Sequence, residues 1–119
     1  MKKRICTSIH EGRPIFEEVE AVTCPLPFIP GAFMVQRFVK CGPHGYYEFK
    51  VYEPETGFAI SCDGSPLAKY ARKNACEVAR KNGREEVARV IEVNRQLLVR
   101  KGVKLPVNPA EAAEEEGTA

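Results

Sequence analysis

Residues 33–62 decide the fold. They read FMVQRFVKC (33–41), GPHG (42–45), YYEFKVYE (46–53), PETG (54–57) and FAISC (58–62). Three apolar-rich runs of strand length are separated by two segments built from Gly and Pro, the punctuation of tight turns. The turns set a register that places Glu53 opposite Phe58, Val51 opposite Ile60 and Phe49 opposite Cys62. Directly opposed residues share a sheet face. One face then collects Phe38, Tyr47, Phe49, Val51, Phe58, Ile60 and Cys62, a coherent apolar surface. The other carries Val35, Arg37, Val39, Tyr46, Glu48, Lys50 and Tyr52 and is mixed. The stretch is expected to form a three-stranded antiparallel meander over 33–62.

Working outward, residues 3–10 and 15–22 flank Glu11-Gly12-Arg13-Pro14 and read as an N-terminal β-hairpin within 1–22. Residues 23–31 hold three prolines, which remove ladder donors and mark a connecting loop, packed down by Leu26, Phe28 and Ile29. On the C-terminal side, Ser65 and Pro66 suit an N-cap and a first helical position. A helix is expected over 66–82, ended by Gly83. Its Leu67, Ala68, Ala71, Ala75, Val78 and Ala79 fall within about 120° of arc. A second helix runs from Arg84 to Lys101, with Val87, Val90, Ile91, Leu97 and Leu98 as its apolar face, Asn94 on the same side and Gly102 as its stop. The expected architecture is α+β: a hairpin and a meander, with two C-terminal helices over 65–102 covering the sheet. Residues 1–109 make a single domain, and 110–119 an acidic flexible tail.

The chain has 119 residues, 44% of them hydrophobic and 29% charged, the balance of an ordinary globular domain. No run approaches the roughly 20 apolar residues of a membrane span. Met1-Lys2-Lys3-Arg4 is basic but no apolar run follows, as expected of a cytoplasmic chain without a signal peptide. The net charge of +2 is segregated. Residues 1–64 carry −1, residues 65–104 carry +7, and the last fifteen carry −4. Such asymmetry points to an interaction surface.

The positive charge sits on the first helix. Lys69, Lys73 and Arg80 project within about 40° of one another, Arg72 lies beside them, and Lys81 and Arg84 extend the zone. Only Glu77 opposes them. Arrays of this kind neutralise phosphates and release counterions, so DNA or RNA is the expected partner. Tyr46 and Tyr52 on the mixed sheet face are candidates for base stacking, against burial beneath the N-terminal hairpin. The alternative is a protein-interaction or homodimerisation module, pairing through edge strands and the second helix. The layout over 33–82, a meander followed by a basic helix, resembles the small three-stranded DNA-binding domains of phage integrases and some plant transcription factors. In those families the sheet enters the major groove. The likeness is one of layout, with no matching motif.

No phosphate loop, nucleophile elbow or catalytic carboxylate pair occurs, so no enzymatic activity and no cofactor are expected. Cys62 precedes a helix start, where the helix dipole favours thiolate. Its nearest histidine, His44, sits in the turn at the far end of the middle strand, so Cys62 reads as a small core residue. The five cysteines lack a CxxC pair and read as reduced thiols. Cys6 with His10 and Cys41 with His44 offer four metal-ligating groups at loose spacing. Both histidines flank turns, and no metal is expected.

Overall fold

A computed structural model describes residues 1–61 and 64–109. Strands β1 (Lys2–His10) and β2 (Arg13–Glu20) form an antiparallel hairpin. Its two connecting residues, Glu11 and Gly12, both have positive φ, 52° and 77°. That is the backbone twist that two-residue hairpin turns require. A bulge between Cys6 and Ser8 shifts the register.

The second sheet has the order β3-β4-β5, formed by β3 (Val22–Thr23), β4 (Phe33–Cys41) and β5 (His44–Tyr52). Gly42 (φ 60°) and Pro43 alone join β4 to β5, so Cys41 pairs with His44 and the strands run two residues closer than the sequence suggests. The expected meander is corrected on its last strand. Its register stands: Glu53 N–H donates to the Phe58 carbonyl and Ile60 N–H to the Val51 carbonyl, both at 2.9 Å. The ladder stops there, as single bridges and no strand. At Phe49 the partner is Ser65, bonded in both directions, while Cys62 lies outside the described residues. The third strand of the sheet is instead β3, from the end of the stretch read as the second hairpin arm. Proline-rich 23–31 folds back tightly enough to bring those two residues beside β4.

The expectation of two helices is also corrected. A single helical element, α1 (Ala68–Arg100), carries one non-helical residue, Gly83 at φ 84° and ψ 166°. Gly83 bends the helix without a linker, because the chain on each side is helical up to the bend. The start also moves, since Ser65 is committed to Phe49. Its hydroxyl accepts the Leu67 N–H, and Leu67 occupies the cap position with no side-chain cap. Gly102 does end the helix. At φ 78° it lets its own N–H reach the Val99 carbonyl and the Val103 N–H reach Leu98, closing off the last orphan carbonyls.

The elements stack in three layers. Ala71, Ala75 and Ala79 of α1 bury against Met34 and Val51 on one sheet face, with Cys24, Leu26 and Ile29 from the proline-rich loop. Alanines on this stripe let the helix lie close. Ile5 and Ala21, beside Val19, cover Phe33, Val35 and Tyr52 on the other face. Phe33 and Tyr52 stack with ring centroids 6.0 Å apart. The buried Glu53 carboxylate accepts the backbone N–H groups of Glu55 and Thr56 and the Thr56 hydroxyl, which shapes the turn at 53–57. Residues after α1 return to that turn. Val107 N–H reaches the Glu55 carbonyl, and the buried Asn108 side chain bonds to Arg4 and Pro54. Among the described residues no helix is long and apolar enough to cross a membrane.

Candidate nucleic-acid interface

The first segment of α1 faces the sheet with its alanines, so its opposite side is open. Lys69, Arg72, Lys73, Arg80 and Lys81 are all exposed. None of the five forms an ion pair among the described residues. Lys69 Nζ lies 5.2 Å from the ring centre of exposed Tyr70. Arg72 borders β3 beside Cys24, Pro25 and Met34. Burial pushes the Cys24 thiol up, and Arg72 opposes that shift.

Arg84 leaves this group. It follows the bend at Gly83, and its guanidinium stacks 5.0 Å from the Phe28 ring centre, in a cavity shared with Glu55, Glu92 and Arg95. Phe28 is thus a platform for Arg84 rather than a packed loop residue. Beyond the bend two arginines are compensated by neighbouring carboxylates. Arg89 pairs with Glu86 at 2.6 Å, and Arg95 pairs with Glu92 at 2.8 Å and Glu55 at 2.9 Å. Glu86 and Glu92 sit below the usual carboxylate range, held there mainly by hydrogen bonds from Arg89 and Gln96 respectively.

The mixed sheet face does not supply the expected stacking pair. Tyr52 is 4% exposed and packed on Phe33 under β1 and β2, so it is removed from the candidates. Burial pushes its phenol up, against an opposing effect of Arg37. Tyr46 stays exposed. A cavity of about 270 Å³ beside Tyr52 is lined by Arg37, Lys40, Glu48 and Lys50 among others. Most of this charge is satisfied internally: Arg37 pairs with Glu17 at 3.2 Å, and Lys50 lies 3.8 Å from Glu48.

The exposed aromatics lie elsewhere. Phe38 and Tyr47, a cross-strand pair near the β4–β5 turn, are 56% and 59% exposed. Their rings meet edge-on, centroids 5.2 Å apart. Both were expected on the covered apolar face, and they are on that face, beyond the reach of its cover. Gly45 was a usable signal. An isolated glycine in a strand often marks a close approach, and a Cβ at Gly45 would collide with the Phe38 ring.

The four candidate metal ligands are not gathered. Cys6 lies in the body of β1 and His10 at its tip, while Cys41 and His44 face each other at the tip of the other hairpin. No group of three or more potential ligands is placed to hold a metal ion among the described residues. Burial pushes the Cys6 thiol up. Cys62 and the acidic tail, Glu111 and Glu114–Glu116, lie outside the described residues. No family model, curated protein or solved structure matches the chain. The likeness of layout to three-stranded DNA-binding domains gains no support, since β3-β4-β5 is a different arrangement from a meander over 33–62.

Proposed function

We propose that this chain is a small, non-enzymatic binding module that contacts nucleic-acid backbone through Lys69, Arg72, Lys73, Arg80 and Lys81. One observation carries the reading. These five bases are exposed on the first segment of α1 with no acidic partner among the described residues, whereas Arg37, Lys50, Arg89 and Arg95 all have one. Uncompensated positive charge attracts a phosphate backbone and releases its counterions. The test is a binding isotherm with DNA and with RNA over a range of salt. The expected result is affinity that falls steeply with salt. Replacing Lys69, Lys73 and Arg80 together with alanine should reduce the log–log slope by about 2 to 3 on duplex DNA. Absence of any mobility shift at low salt and micromolar protein, with both nucleic acids, would remove the reading.

A second reading is favoured by a separate observation. Val90, Val93 and Leu97 are exposed at helical spacing beyond the Gly83 bend. Two copies crossing antiparallel about Val93 set Val90 against Leu97 and Glu86 against Arg100. A parallel crossing sets like charge against like charge. On this reading the chain is a homodimer, which Val93→Lys disrupts in light scattering. A monomeric native protein across concentrations removes it.

A further inference from the structure

We propose that the end of the β4–β5 hairpin is a base-stacking site for single-stranded nucleic acid, with Phe38 and Tyr47 as the stacking platform and the adjacent basic helix face as the phosphate contact. The inference rests on the backbone-binding reading above and adds to it the form of nucleic acid and the residues that select it.

Placement comes first. On the helix-side face, successive cross-strand pairs are Met34–Val51, Gln36–Phe49 and Phe38–Tyr47. The first lies buried against the α1 alanines. At the second, the Phe49 backbone is bonded to Ser65, three residues ahead of Ala68, the first residue of α1. The third is the next pair along the same face. The exposed aromatic pair is therefore next along the face to the segment that leads from Ser65 into the helix carrying Lys69 and Lys73.

The rings are also held. Phe38 rests against the backbone at Gly45, in space that a side chain there would take. Tyr47 meets it edge-on, a favoured geometry for an aromatic pair. Two large aromatic side chains thus stay open to solvent in a defined orientation. Unpaired bases offer free faces to such a platform, whereas the bases of a duplex are already stacked on their neighbours. Base–aromatic stacking strengthens binding by about ten- to a hundredfold per base and tolerates any sequence. Charge complementarity supplies the rest, since a strand stacked on the rings would run toward the helix that carries Lys69 and Lys73, whose positive charge suits the anionic backbone between stacked bases.

The test uses the full chain and fluorescence anisotropy with a labelled oligothymidine of about 12 nucleotides, within the span of small single-strand sites, and a duplex of equal length. The native protein should bind the single strand more tightly than the duplex. Phe38→Ala with Tyr47→Ala should weaken single-strand binding by about tenfold or more and leave duplex binding unchanged. Phe38→Leu with Tyr47→Leu keeps the apolar bulk and should show the same loss if stacking is the cause. Equal native affinity for single strand and duplex overturns the proposal, as does single-strand affinity that survives both double variants. Either outcome with salt-dependent binding intact leaves the backbone reading standing. No binding to either probe removes both.

Discussion

Asn108 should be the most sensitive single position outside the hydrophobic core. Its side-chain oxygen accepts the Arg4 N–H at 2.7 Å, and its amide nitrogen donates to the carbonyls of Arg4 and Pro54, both at 2.9 Å. Only one orientation of the amide satisfies all three. Arg4 opposes Glu18 in the hairpin, and its N–H and carbonyl point to the outer side of β1. Asn108 therefore caps an exposed strand edge as a neighbouring strand would, with Gly57 doing the same at Cys6 through a 2.9 Å bond. In Asn108→Ala three hydrogen bonds are lost, each worth about 0.5–1.5 kcal/mol net. Water can reach part of the site and recover some of this, so the expected loss is about 2–4 kcal/mol. At roughly 4 °C per kcal/mol for a chain of this length, Tm should fall by about 8–16 °C. Asn108→Asp is the sharper variant. It keeps the acceptor for Arg4 N–H but turns a second oxygen toward two carbonyls, and should lose as much as alanine. Thermal and urea unfolding of the three proteins measure this. A loss below about 0.5 kcal/mol for Asn108→Ala would refute the reasoning, because the C-terminal segment would then not be holding β1.

Three further outcomes follow from single positions. Gly83→Ala should cost about 1–3 kcal/mol, because φ 84° with ψ 166° is a conformation that only glycine adopts freely. No atom lies within 4 Å of the added Cβ, so the cost is conformational, and a straightened helix would appear as a radius of gyration above that of the native protein in solution scattering. Glu53→Gln should lose about 1–3 kcal/mol in urea unfolding, since one amide oxygen cannot replace a carboxylate that accepts from both Thr56 N–H at 2.9 Å and Thr56 Oγ1 at 2.6 Å as well as from Glu55. Tyr52→Phe should flatten the alkaline limb of the stability–pH curve. Burial raises the Tyr52 pKa in the folded chain, so the phenol contributes stability below its ordinary value of about 10, and that contribution is lost as pH rises through the folded value. Titration of phenolate absorbance should show one late step that the variant lacks.

The parts of the fold legible in the sequence were those set by local chemistry. Glu11-Gly12 and Gly42-Pro43 mark both hairpins, the alternation in 46–53 gives the register, and the alanine spacing gives the buried stripe of α1. What was not legible depended on competition between partners. Ser65 is a good N-cap by type, but its backbone pairs with Phe49 and the helix starts later. Residues 58–62 read as a strand, yet the ladder ends at Ile60. Gly83 reads equally well as the end of one helix or as a bend inside a longer one, since both need its positive φ. β3 is only two residues long, too short to leave a periodic signal.

The candidate site divides in the same way. That the basic residues are exposed follows from the alanine stripe opposite them, and five of the six lie on the first segment of α1, before Gly83. Arg84 is lost because a bend of a single residue changes which side the next turn presents. Of the stacking candidates Tyr52 is buried beneath the hairpin and Tyr46 is exposed, while the exposed pair Phe38–Tyr47 went unread for a reason of length. Facing residues tell which side of a sheet a side chain is on but not whether the cover extends that far. Because Phe49 holds Ser65, the chain leaves the sheet at that level to enter α1, whose Ala68 and Lys69 lie beside Met34, and five cross-strand pairs from Arg37–Glu48 to Cys41–His44 continue past it. At about 3.4 Å per residue they extend roughly 17 Å. Their helix-side aromatics, Phe38 and Tyr47, are therefore open for the same reason that Met34 and Val51, at the other end of the same face, are buried.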